Sequence, residues 1–277
     1  MNGIASGKLE NINFADKSSG IHIPSHVQAD SLFSFTTKLD YLMSIIQTKM
    51  ISPRYCEENI EYLQINSIKS IAIPMKCFCD ISLHMIKDHL AYYGYYGIAF
   101  EKEWGIRNGI QPVQYINPNS PLCKDFSEAF AKAIANKCTT NDDLVNQLEN
   151  YLLHELFFYK PYSGKSKDRV TGDQKPKCFT EECEWRFVPQ VENAGYQQLF
   201  TNPVIIKEKL DDWSNSMIGV REVSLPFEYD DIKYIIIKNE ADFPLFLDTI
   251  SQLDLEKAIE QRVISKVIIW EKSKGDF

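Results

Sequence analysis

The segment Cys183-Glu-Trp-Arg-Phe-Val188 sets a carboxylate and a guanidinium two residues apart. Cys183, Trp185 and Phe187 alternate with Glu184, Arg186 and Val188, which is the pattern of a strand. Glu184 and Arg186 then share one face, where they can grip a polar ligand or orient each other. The plain structural alternative is a solvated polar face over a buried Trp185. Arg54, in Pro53-Arg-Tyr55, is a second anion ligand by type, and Glu57 and Glu58 stand close to it in sequence. Cys77-Phe-Cys79 puts two thiols on one strand face. With Cys178, Cys183, His84 or His89 they could hold zinc, but the spacing is not that of a Cys-x-x-Cys knuckle. All seven cysteines are therefore expected as free, unmetallated thiols.

The elements that must position these groups can be read from periodicity. Ser31 to Phe35 alternates and is aromatic, which predicts a short strand. Leu39, Leu42, Met43 and Ile46 line one face of a helix over 38–49, stopped before Pro53. A strand over 73–78 carries Cys77, with Cys79 just beyond its end. A helix follows, lined by Leu83, Ile86 and Leu90 and ended at Gly94, and then a strand over 96–100. Pro112 to Ile116 reads as a short strand. Ser120-Pro121 opens a helix over 121–136, and Leu144 to Leu156 another. Further on, 204–213, 241–253 and 255–262 read as helical. Strands are predicted at 220–225, 232–238 and 263–270. Strands and helices mix without strict alternation, so the fold class is α+β: a single domain over 30–277 with a mixed, mostly antiparallel sheet flanked by helices.

Two segments lack apolar periodicity. Residues 1–29 read as a loosely ordered arm. Residues 160–177 hold six Lys or Arg against two Asp, with two Pro and two Gly, and read as a long, mobile, basic loop. At 277 residues the chain can bury a substantial core. Its net charge of −8 and pI of about 5.3 disfavour a broad nucleic-acid surface, leaving the 160–177 loop as the place for such contact. The absence of a long apolar run or a leader-like N-terminus points to a cytoplasmic protein without a membrane span.

Ala72-Ile-Pro-Met-Lys-Cys-Phe-Cys-Asp-Ile81, Tyr93-Gly-Tyr-Tyr-Gly-Ile98, Glu103-Trp-Gly-Ile106, Pro53-Arg-Tyr55 and Glu184-Trp-Arg186 together resemble the AbiGi family over roughly residues 31–190. The resemblance implies the antitoxin component of a bacterial abortive-infection system, one that works by binding a toxin protein and needs no cofactor. Motif traces also resemble ADP-ribosyltransferase-like enzymes, whose His-x-Thr motif holds the nicotinamide ribose of NAD. On that alternative Ser34-Phe-Thr36 takes the motif's place, with Ser34 where the His would fall and Thr36 matching. Glu184 would be the catalytic carboxylate. Arg54, Tyr55 and Arg186 would complete the ligand-binding set, and NAD would be the cofactor. A nucleotide-signal sensor on the same scaffold is a third reading.

Overall fold

The computed structural model describes residues 29–136, 143–167, 174–203 and 207–276. The expected N-terminal arm lies almost wholly outside these residues. The first part of the chain forms β1 (Ser31–Thr36), α1 (Leu39–Thr48), β2 (Met50–Ile51), β3 (Arg54–Asn59), β4 (Ser70–Cys79), α2 (Ile86–Tyr93) and β5 (Tyr96–Glu101). The middle forms α3 (Lys102–Arg107), β6 (Gln111–Pro112), β7 (Gln114–Ile116), α4 (Pro121–Asn136), α5 (Asp143–Phe158), β8 (Tyr159–Pro161), β9 (Ser163–Lys167), β10 (Gln174–Cys178) and β11 (Glu184–Phe187). The last part forms β12 (Phe200–Thr201), α6 (Lys207–Ser216), β13 (Leu225–Pro226), β14 (Ile232–Ile237), α7 (Asp242–Ser251), α8 (Lys257–Ser265), β15 (Val267–Ile269) and α9 (Trp270–Ser273).

Nine strands make the main sheet, in the order β15-β14-β5-β1-β4-β11-β6, with β3 and β12 also paired to β4. Only β14 and β15 run parallel within it. The α+β reading with a mixed, mostly antiparallel sheet therefore holds. Side-chain alternation sorts the two faces. Leu32, Phe78, Ile98 and Phe100 face a core closed by α1, α7 and α8 through Leu42, Ile46, Phe246, Ile250 and Val263. Their strand neighbours Phe33, Cys79 and Ala99 face the other way, onto Ile86 and Leu90 of α2 and Trp270 of α9. Further along β4 on that second face, Ile71, Ile73 and Met75 pack under Phe126 and Phe130 of α4 and Leu152, Leu156 and Phe157 of α5.

The sheet splits at β4. Asp80 N–H donates to Cys183 O, and Ser70 O accepts from Asn202 N–H, so the even-numbered residues of β4 point toward β11 and β12. β1 and β3 must share the opposite edge. There β1 meets β4 at Phe33–Cys79 alone, while β3 pairs from Met75 down to Ser70. Cys77 lies between the two with no described strand beside it on that edge. A cleft of about 1120 Å³ opens at this gap, lined by Phe33, Phe35, Cys56, Met75, Cys77 and Cys79 among others.

Three expectations change. The 160–177 segment is not a plain loop: its described residues form the end of β8 and a two-stranded hairpin of β9 and β10, and 168–173 lie outside them. Two of its lysines, Lys160 and Lys177, are drawn into strand structure by buried acidic partners, described below. Val220–Val223 is a turn closed by Val223 N–H on Val220 O, following Gly219 at φ 75, and only Leu225–Pro226 is strand. Val263 belongs to α8, since Ile259 and Val263 sit one helical turn apart against the core; strand resumes only at Val267.

Gly94 ends α2 at φ 123, and a Cβ there would stand 2.3 Å from Thr36 O. Both the left-handed backbone and the contact with β1 require glycine. Gly94→Ala is expected to cost more than about 2 kcal/mol of stability, read as a lowered urea midpoint at unchanged slope.

Candidate functional site

The floor of the cleft is a chain of alternating charges. Arg186 on β11 is 1% exposed and Glu184 is 4% exposed, so the polar face of this strand is the buried one. Trp185, on the other face, is only partly buried. The solvated-face alternative is thereby reversed. Arg186 Nε donates to Glu184 Oε1 at 2.7 Å, and its Nη2 lies 3.3 Å from Glu184 Oε2 and 3.2 Å from Glu58 Oε2. Its Nη1 donates to the Phe157 carbonyl at the end of α5, at 2.7 Å. Lys160 Nζ on β8 sits 2.5 Å from both Glu184 Oε2 and Glu182 Oε2. Lys177 Nζ on β10 reaches Glu182 Oε1 at 2.6 Å and lies 3.8 Å from the centre of the Tyr92 ring. Tyr93 donates its hydroxyl proton to Glu182 Oε1 at 2.9 Å.

Local backbone makes this convergence possible. Glu182 closes a single 3-10 turn, and Cys183 then takes a left-handed conformation at φ 43 before β11 begins. That turn lets two glutamates two residues apart flank one lysine. A non-glycine residue there stores about 1–2 kcal/mol of strain. Asp80 N–H donating to Cys183 O and Glu184 N–H donating to Tyr115 Oη fix the turn on both sides.

Electrostatics follow the geometry. Burial alone would raise the Glu184 carboxyl, but Arg186 and Lys160 overcome it and hold it well below the usual carboxylate range. Glu182 is likewise lowered: burial opposes, and Lys160 and Lys177 prevail. Lys160 is raised despite burial, by Glu58, Glu184 and Glu182 together. Arg186 is raised in the same way by Glu58 and Glu184. The chain Glu58–Arg186–Glu184–Lys160–Glu182–Lys177 holds three carboxylates and three cations, so it is neutral as a unit.

The residues singled out in the sequence do not gather in one place. Glu184 and Arg186 belong to the charge chain, and Glu184 and Arg54 line the cleft. Arg54 donates from Nη1 to Asn215 Oδ1 at 2.9 Å and from Nη2 to Asp211 Oδ1 at 3.3 Å, both on α6. Tyr55 turns to the opposite side of β3, where it packs edge-on to Phe200 and donates to Gln197 O. Ser34 and Thr36 alternate with Phe33, and Phe33 shares a cross-strand row with Cys79 and Glu184. Ser34 and Thr36 therefore sit on the far face of the sheet from Glu184. The partners Glu58, Lys160, Lys177 and Glu182 were not legible as site residues. The only sequence signal was the density of Glu at 181, 182 and 184 beside a lysine-rich segment.

The six described cysteines are free thiols. Among the described residues no group of three or more His, Cys, Asp or Glu is arranged to hold a metal ion, and no helix is long and apolar enough to cross a membrane.

Residues 48–238 match the family model described as "Putative abortive phage resistance protein AbiGi, antitoxin". The chain belongs to the AbiGi family. A relative from Lactococcus lactis subsp. cremoris, named "Abortive phage resistance protein AbiGi", is 31% identical over 245 residues, covering 81% of this chain and 98% of the relative. No solved structure matches. The AbiGi match takes in the whole charge chain, from Glu58 to Arg186, and extends past the sequence motifs into β14.

Removing one member of a buried ion pair leaves its partner uncompensated, so Glu184→Gln should cost about 3–5 kcal/mol near neutral pH. The pH dependence has a fixed sign. The folded carboxyls of Glu184 and Glu182 lie below the unfolded value of about 4.3, so their contribution is complete above about pH 5 and declines as pH falls through the lowered folded values. Urea titrations from pH 7 to pH 3 should show the stability gap between wild type and Glu184→Gln narrowing with acid. A gap independent of pH would contradict the ionised chain.

Proposed function

We propose that this AbiGi protein acts as an antitoxin by holding a toxin protein in a stoichiometric complex, without turning over a substrate. One observation carries the reading: both carboxylate oxygens of Glu184 are taken up by Arg186 and Lys160 inside a neutral, closed charge chain. A carboxylate that must stabilise a developing positive charge on a sugar needs an open oxygen aimed at the substrate. Here moving either oxygen would strand a buried cation. The placement of Ser34 and Thr36 on the opposite face favours the same reading, since a ribose gripped by them would sit away from Glu184.

Two of the six cations in the 160–177 segment, Lys160 and Lys177, are held by Glu182 and Glu184. That reduces what the segment can offer a nucleic acid and favours a protein as the partner. The overall charge of −8 suits a basic surface on that partner, through faster encounter more than through affinity.

The test combines neutralisation with turnover. The chain is co-expressed with the product of a neighbouring gene as the candidate toxin, growth rescue is scored, and nicotinamide release from NAD by the purified chain is measured in parallel. Wild type is expected to rescue growth at a one-to-one ratio and to release no nicotinamide. Glu184→Gln is expected to rescue wherever it folds, which cooling the culture secures. Nicotinamide release by wild type, abolished by Glu184→Gln, would replace this reading with a transferase.

A further inference from the structure

Two strand edges border the cleft, and among the described residues the main chains of Glu57 on one and Lys165 on the other have no hydrogen-bond partner. On β3, Ile60 N–H donates to Lys69 O, so the pairs Glu58–Ile71 and Cys56–Ile73 are the hydrogen-bonded ones. Tyr55, Glu57 and Asn59 must then aim their N–H and C=O groups away from β4. The Tyr55 N–H confirms that direction, because it donates to Ser214 Oγ on α6 at 3.0 Å. Beyond the reach of α6, the Glu57 main chain has no hydrogen-bond partner among the described residues.

The hairpin gives the second edge. Phe179 N–H donates to Tyr162 O, which makes Gly164–Lys177 and Ser166–Lys175 the hydrogen-bonded pairs. Lys165 stands opposite Pro176, at a position where the absent proline N–H costs nothing. Lys165 therefore points its own N–H and C=O out of the hairpin. Glu57 and Lys165 both line the 1120 Å³ cleft, and among the described strands β9 pairs with β10 alone while β3 pairs with β4 alone.

We infer that the cleft takes an extended segment of the toxin as an added β-strand, hydrogen-bonded to the Glu57 edge of β3, the Lys165 edge of β9, or both. The inference rests on the toxin-binding reading and names its contact. Unpaired main-chain donors and acceptors on an edge are satisfied by another main chain, and proteins that do not use such an edge cover it. The opposite signs of Glu57 and Lys165 place no single charge demand on the inserted segment, so its recognition is through backbone. Cys56, Met75 and Cys77 add small apolar surface to the same cleft. The buried charge chain holds the two edges in place, since Glu58 on β3 is tied through Arg186 and Glu184 to Lys160 on β8, three residues before β9 begins at Ser163.

Proline substitution tests this directly. Glu57→Pro removes one outward N–H and leaves the β3–β4 ladder intact, and Lys165→Pro does the same on β9. Glu57→Ala and Lys165→Ala remove the side chains and keep the main-chain groups. Binding of the purified neighbouring-gene toxin is measured by calorimetry for all five proteins, with circular dichroism to confirm folding. At least one proline variant should bind roughly tenfold more weakly or worse, with its alanine counterpart within about threefold of wild type. Amide exchange should show the Glu57 or Lys165 N–H unprotected alone and protected in the complex. Wild-type binding that both proline variants retain sinks the strand and leaves the antitoxin reading standing. Equal losses for proline and alanine also overturn it, in favour of side-chain recognition, and protection already present in the isolated chain shows the edges are occupied. No binding by wild type removes both readings.

Discussion

The ion pair of Arg186 with Glu184 is the interaction on which the rest of this architecture rests. Arg186 sits under the α4–α5 layer and cannot be solvated there. Taking such a charge out of water costs several kcal/mol, and attraction to a single carboxylate seldom recovers it. The chain answers by extension. Arg186 takes Glu184, Glu58 and the Phe157 carbonyl, Glu184 takes Lys160, and Lys160 brings Glu182, which brings Lys177. Each added charge neutralises the one before it, and the series ends where Lys177 comes to the surface against the Tyr92 ring. Charge-assisted hydrogen bonds in a low-dielectric setting reinforce one another, so such a series resists losing any one member.

The consequence is architectural. Glu58 belongs to β3, Glu184 to β11, Lys160 to β8 and Lys177 to β10, strands drawn from distant parts of the chain. Hydrophobic burial would let these pieces slide, because it has no direction. Alternating charges of fixed reach set their spacing. A second buried pair, Lys102 with Asp80 at 2.7 Å, pins the start of α3 to the end of β4. Lys102 also lies over the Trp185 ring, 5.6 Å from its centre, on the opposite face of the strand that carries Glu184. β4 and β11 are thus held by charge from both sides. A sheet that splits at Cys77 needs such clamps, since one edge of β4 has no strand beside it there.

Much of this was legible in sequence and some was not. Helices α1, α2, α4 and α5 could be read because their apolar residues repeat at 3.6 and their ends carry proline or glycine. The strand around Glu184–Phe187 could be read from alternation, but which face was buried could not. Alternation gives the period of a strand and leaves its direction to the partners. Those partners, Lys160 and Glu58, lie 24 and 128 residues away along the chain, and no local pattern announces them. The same long-range dependence explains the 160–177 segment. A run of lysine, proline and glycine reads as solvated loop until a buried glutamate is placed beside it. Strand β3, with Glu57, Glu58 and Asn59, has polar residues on both faces and no apolar period to betray it.

The same fact bears on what the cleft can do. Ligand sites built for catalysis keep their reactive groups poised and unsatisfied, and accept a loss of stability for it. In this cleft Glu184, Glu182, Lys160 and Arg186 satisfy one another and are shifted toward their ionised forms, the signature of structure, while burial pushes the cleft-lining Lys76 the other way. Among the described residues of the cleft lining, the Tyr62 hydroxyl and the Glu57 and Lys165 main chains are left without hydrogen-bond partners. The linked charges hold the walls apart, and the proposed strand contact draws on the backbone amides and carbonyls that those walls present. A site so divided is suited to shape and strand geometry, the contact that the proposed antitoxin role would call for.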